Sequence, residues 1–186
     1  MKNKSVVIIC GDPKSTFNEI LIKTIKNKVY KNSKFPIIII CSEKLFQNEI
    51  KKQKVKLNLQ KFENQTNLRK NKIYIFDIPL KNGKLSLIKK NEYIKKSFKV
   101  GLNLLRKKNL LALINGPISK TTFLKGKYKG ITEYLALKTG SLNEVMLIFN
   151  KELSVSPITT HVPINKVSQK IKKEVIIKKI NNINYF

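Results

Sequence analysis

At 186 residues, 41% of them apolar, the chain is long enough for one domain that buries roughly 70% of the surface its unfolded form exposes, with no need of disulfide or metal staples. Its 39 Lys and Arg against 11 Asp and Glu give a formal charge of +28, which taken alone points to nucleic acid or an anionic membrane surface. Against that, Arg69 and Arg106 are the two arginines, and the lysines run along the whole chain beside many Asn and Ile, all with A/T-rich codons, so the charge reads as a solvated lysine surface with no specific nucleic-acid partner.

The opening residues, MKNKSVVIICGDP, hold too short an apolar run for a signal peptide, and no later segment approaches the roughly 18 apolar residues of a membrane span. A cytoplasmic protein with no membrane partner is therefore expected. Residues 6–10 (VVIIC) form a short β-branched run that ends at Gly11-Asp12-Pro13, the pattern of a buried strand leaving through a turn. From Thr16 to Lys28, Phe17, Ile20, Leu21, Thr24 and Ile25 have helical spacing, with Ser15 or Thr16 as the cap. PIIIIC at 36–41 predicts a second buried strand, and residues 43–55 a polar helix carrying Leu45, Phe46 and Ile50. Cys10 and Cys41 each close an apolar run, so they read as small buried side chains of a reduced protein in preference to a disulfide or a ligand pair. This β-α-β-α opening favours the α/β class, a mostly parallel sheet flanked by helices, in a single domain over residues 1–186.

Residues 56–90 are less regular: LNLQKF and KIYIFDI predict strands on either side of the polar ENQTNLRKN, and Leu85 to Leu87 a short third one. Over 92–108, Ile94, Phe98, Gly101, Leu102 and Leu105 form one stripe of an amphipathic helix with lysines opposite. LLALINGP at 110–117 predicts a strand that delivers Asn115 and Gly116 to a loop at its carboxyl end, where open α/β sheets place their ligands. SKTTFLKGKYKG follows as a basic turn or short helix, and ITEYLALKTG as a helix closed by Gly140. EVMLIF and ELSVSPITT predict strands bearing on His161, and residues 164–180 have helical spacing.

Three stretches carry side chains suited to chemistry. Gly11–Glu19 joins a strand to a helix, the setting in which backbone amides bind phosphate, but it lacks the glycines of the known phosphate loops and reads as a plain turn. In INGPISK, Gly116 permits unusual dihedrals, Pro117 can start a helix, and Lys120 stands one turn in, where its charge can neutralise a phosphate or a developing alkoxide. So many lysines make chance placement a rival. His161 is the one histidine of the chain; at the end of a strand it suits a metal ligand or a general base, while a lone histidine is more often structural.

Taken together and in order, these segments resemble the first half of the 4-hydroxythreonine-4-phosphate dehydrogenase (PdxA) family. Gly11-Asp12-Pro13 falls where that family has strand then G-D/E-P, and ALINGPISK at 112–120 resembles its A-L-x-T-x-P-I-x-K. GITEYLALKTG at 130–140 resembles its G-H-T-E-x-L-A, and TTHVPINKV at 159–167 its T-T-H-x-P-L. The resemblance implies a fold similar to isocitrate and isopropylmalate dehydrogenases, NAD or NADP as cofactor, a divalent metal (Zn, Mg or Co) and a homodimer. It implies oxidation of the secondary alcohol of 4-phosphooxy-L-threonine to a β-keto acid that decarboxylates, on the way to pyridoxal phosphate. Carried over by position, His161 becomes a metal ligand, Thr132 a substrate contact and Lys120 a candidate catalytic group. Ile131 stands where the family has its histidine, and KSTFN replaces the family's glycine-rich continuation after Pro13. The family continues past the point reached by Phe186 into a second domain with two further histidine ligands, so a chain incomplete as a catalyst is expected, one that needs a homodimer or a complementing chain. The alternatives are a non-catalytic remnant or partner subunit, and a dehydrogenase of 4-phosphoerythronate or 4-phosphothreonate.

Overall fold

In the computed structural model, the described residues are 4–27, 33–63, 68–80, 86–107, 110–141 and 144–185. They fall into two compact units, Met1–Phe123 and Leu124–Phe186. The first is built on five parallel strands: β1 (Ser5–Ile9), β2 (Ile37–Cys41), β3 (Leu59–Lys61), β4 (Ile73–Asp77) and β5 (Leu110–Asn115), in the order β3-β4-β2-β1-β5. Helices α1 (Phe17–Lys26), α2 (Glu43–Lys52) and α3 (Leu87–Lys107) complete it. The chain thus passes through α1 from β1 to β2 on one side, and arrives at β5 on the other side of β1 after α3. That reversal makes the carboxyl ends of β1 and β5 a switch point.

The period-two alternation of the strands decides what each face holds. Ile8, Cys10, Ile39, Cys41, Ile73 and Ile75 point into one buried cluster with Leu21, Ile22 and Ile25 of α1 and Phe46 and Ile50 of α2. On the opposite face α3 lies across β1, β2 and β5, close enough that a methyl group on Gly101 would come to 2.7 Å of the Ile9 Cδ1. Tyr93 of α3 is buried there and its hydroxyl accepts a hydrogen bond from Ser42 N–H at 2.9 Å. Burial is the first cause raising that phenol far above its ordinary range, so it stays protonated. Strands this deeply enclosed read as unbroken apolar runs, which is why IIIIC is legible without any alternation.

Several boundaries differ from the sequence expectation. Leu87 does not belong to a strand: Ser86 accepts a hydrogen bond from Lys89 N–H at 3.3 Å and α3 starts there, five residues ahead of the expected 92; Leu85 lies outside the described residues. Part of ENQTNLRKN, residues 64–67, also lies outside them.

The second unit holds α4 (Ile131–Thr139), closed as expected by Gly140 at φ +73°, and the helices α5 (Val167–Lys170) and α6 (Lys173–Asn184). EVMLIF and ELSVSPITT do not form two strands; they meet in one antiparallel bridge, Ile148 with Val155, and Met146 to Phe149 stay largely exposed. The expected continuous C-terminal helix is broken, because Ile171 and Lys172 are extended. Among the described residues no helix is long and apolar enough to cross a membrane.

Candidate active site

At the switch point the loops after β1 and β5 are clasped together. Gly116 N–H donates to Ile9 O at 2.7 Å, and Asp12 N–H donates to Pro117 O at 2.8 Å. The approach is so close that a side chain at Gly116 would run into the carbonyl of Cys10, and one at Gly11, whose φ is +72°, into that of Pro117. Glycine is required at both positions for steric reasons, at Gly11 also for its dihedral. The Asp12 carboxylate accepts from Lys14 N–H at 3.0 Å and pairs with Lys90 of α3, and both partners of that ion pair are largely screened from water. Ser15 Oγ donates to Asp12 O at 2.7 Å, fixing the entry to α1.

Lys120 opens a turn of π-type helix, Lys120–Leu124, and its side chain is exposed. Phe123 anchors this turn by stacking on Phe98 of α3, ring centroids 5.5 Å apart. Asn91 of α3 donates to Thr122 O at 3.1 Å, leaving Asn91 Oδ1 and Thr122 Oγ1 shielded from solvent with no hydrogen-bond partner. Buried oxygens are ordinarily paired, which sets these two apart from the rest of the turn. Lys90 and Asn91 had no signal in the sequence, since both precede residue 92, where the helix was expected to start.

In the second unit, Thr132 and His161 belong to neighbouring segments. Gly130 precedes α4, and a methyl group placed on it would lie 3.0 Å from Glu133 Oε2 and 3.8 Å from His161 Nε2. The imidazole and the Glu133 carboxylate therefore flank one buried glycine, with Thr132 exposed at the first turn of the helix. Glu133 was passed over as a site residue although it stands in GITE. His161 is itself exposed and has φ +56°, a left-handed conformation uncommon outside glycine, which His, like Asn and Asp, takes more readily than other side chains. Tyr134 packs edge-on against Tyr128 at 5.2 Å, and burial, then the Tyr128 neighbour, raises its phenol. Lys120 stands in the first unit and Thr132 and His161 in the second.

Comparison with known proteins decides the ancestry. Residues 33–185 match the family model described as "Pyridoxal phosphate biosynthetic protein PdxA". The chain belongs to this family. A 4-hydroxythreonine-4-phosphate dehydrogenase of Sulfurihydrogenibium sp. (strain YO3AOP1) is 31% identical over 191 aligned positions, covering 96% of this chain and 56% of the relative. One from Aquifex aeolicus (strain VF5) is 28% identical, covering 97% and 57%. Among solved structures, a putative 4-hydroxythreonine-4-phosphate dehydrogenase from Salmonella typhimurium aligns with a TM-score of 0.78 at 21% identity, covering 96% of this chain and 57% of that one. That last likeness shows the fold, an α/β parallel sheet flanked by helices. The chain spans a little over half the length of the curated relatives it matches.

Among the described residues no group of three or more His, Cys, Asp and Glu side chains is poised to hold an ion. One exposed imidazole beside one carboxylate does not amount to a catalytic metal site, which takes three protein ligands and an open position. The described residues alone therefore do not fit the metal.

Proposed function

We propose that this chain carries the amino-terminal share of a 4-hydroxythreonine-4-phosphate dehydrogenase site, in a cytoplasmic, homodimeric or complemented NAD(P)-dependent oxidoreductase of pyridoxal phosphate synthesis. The substrate of that reading is 4-phosphooxy-L-threonine, whose secondary alcohol is oxidised to a β-keto acid that decarboxylates. The observation that carries it is the family match over residues 33–185 together with the pairing of the GITE and TTH segments around Gly130. In this assignment Thr132 binds substrate from the first turn of α4, Lys120 offers a positive charge to an anionic substrate group, and His161 contributes one donor to a divalent metal completed by residues outside this chain.

A second reading, a non-catalytic member of the family, is favoured by Ile131, which puts an apolar side chain where the resemblance places a histidine, and by the incomplete donor set. The two separate in one experiment. NADH formation is followed with 4-phosphooxy-L-threonine, NAD and a divalent metal, first with the 186-residue chain alone and then with the carboxyl-terminal part of a relative added. The proposed function expects turnover only in the second mixture and its loss in His161→Ala. A mixture shown by sedimentation to assemble, yet without turnover, leaves the non-catalytic reading standing.

A further inference from the structure

The two cysteines that the sequence places at the ends of separate apolar runs come together in the fold. β1 and β2 are parallel with Ile8 opposite Ile39 and Ile9 opposite Ile40, so the next step along both puts Cys10 opposite Cys41. Cys10 N–H donates to Ile40 O at 3.1 Å, which holds the pair in register beyond the last strand residue of β1. Both thiols are free, and both point into the cluster formed with Leu21 and Phe46, so they leave the sheet on the same face. Adjacent strands lie about 4.8 Å apart, within the roughly 4.4–6.8 Å of Cα separation that a disulfide spans.

We propose that Cys10 and Cys41 are a dithiol modification site, closed to an intrachain disulfide by hydrogen peroxide. One sulfur loses its proton and attacks a peroxide oxygen; the O–O bond breaks, leaving a sulfenic acid and one water. The second sulfur attacks that sulfenic sulfur, the S–S bond forms as the S–O bond breaks, and the oxygen leaves as a second water with the second thiol's proton. Two thiols are oxidised and one peroxide is reduced. A hydrogen bond with Cys10, then burial, raises the Cys41 thiol well above its ordinary range. Both thiols are buried, so peroxide reaches them only as the cluster opens, and thiolate is the nucleophile, so closure is slow at neutral pH and accelerates as pH rises. The bridge acts on the site through the backbone, since the Cys10 carbonyl lies against Gly116 and Cys10 leads directly into Gly11 of the clasp. None of this depends on the dehydrogenase reading.

The test is mass spectrometry of the folded chain after excess peroxide, with circular dichroism confirming the fold. The expected product is a monomer lighter by two hydrogens, restored by dithiothreitol, whose peptide map joins the segments holding residues 10 and 41. In Cys41→Ala, Cys10 gains oxygen instead; should that variant not fold, the wild-type peptide map decides without it. Oxygen added to either wild-type cysteine with no cross-link overturns the proposal. So do chain-to-chain disulfides, or an unchanged mass under conditions that oxidise the unfolded chain.

Discussion

In the sheet unit Val7, Ile38, Ile39 and Ile40 are wholly removed from water, whereas Phe149, Leu153 and Ile164 of the second unit are 74%, 70% and 92% exposed. Both units have apolar side chains in supply; what differs is whether a layered partner exists to cover them. Parallel strands receive helices on both faces by the geometry of their crossovers, so every inward residue finds a neighbour. The segments of the second unit offer a single bridge and short helices, and their apolar residues remain a surface. Stability is therefore concentrated before Phe123, while Thr132 and His161 lie after it.

The largest effect expected is from Phe46→Ala, which empties the cluster between α1, α2 and the sheet and should cost about 3–5 kcal/mol in denaturant unfolding. An effect no larger than that of a surface change would break the contrast between the units. Gly11→Ala comes next: a side chain there meets the Pro117 carbonyl from a left-handed backbone, and a loss of about 1–3 kcal/mol is expected by thermal unfolding. Asp12→Asn removes the charge that pairs with Lys90 and should cost roughly 1–3 kcal/mol, mostly kept at high salt because both partners are shielded from water. Ile164→Ser closes the series, with a change within about 0.5 kcal/mol in the same unfolding assay, since its side chain has little contact to lose. A strong destabilisation there would show that the second unit's apolar surface is covered in solution.

The strands β1, β2 and β4 and the helix α4 were legible because each follows from a local rule: a run of β-branched and aromatic residues, or a left-handed glycine closing a helix. The start of α3 was not, because LSL alternates like a strand and only the Ser86 hydroxyl, turned toward Lys89 N–H, marks a helix end. EVMLIF and ELSVS have strand composition, but a ladder requires a partner along its whole length, and composition does not supply one. At the site, the GITE and TTH motifs were legible as separate segments, while the approach of His161 and Glu133 to Gly130 was not. The Asp12 to Lys90 pair and the contact of Asn91 with Thr122 join residues far apart in the chain, and no single-segment pattern encodes them.

The left-handed backbone at His161 has an evolutionary consequence. A glycine in its place would relieve on the order of 1 kcal/mol of backbone cost and add unfolded-chain freedom that offsets much of it, so a laboratory screen that rewards heat resistance alone would not protect the chain's one imidazole. Variants that lose it would be about as hardy and, under the family reading, silent. Any effort to make this protein more robust should therefore hold position 161 fixed and look for its gains among the exposed lysines and loops of the sheet unit.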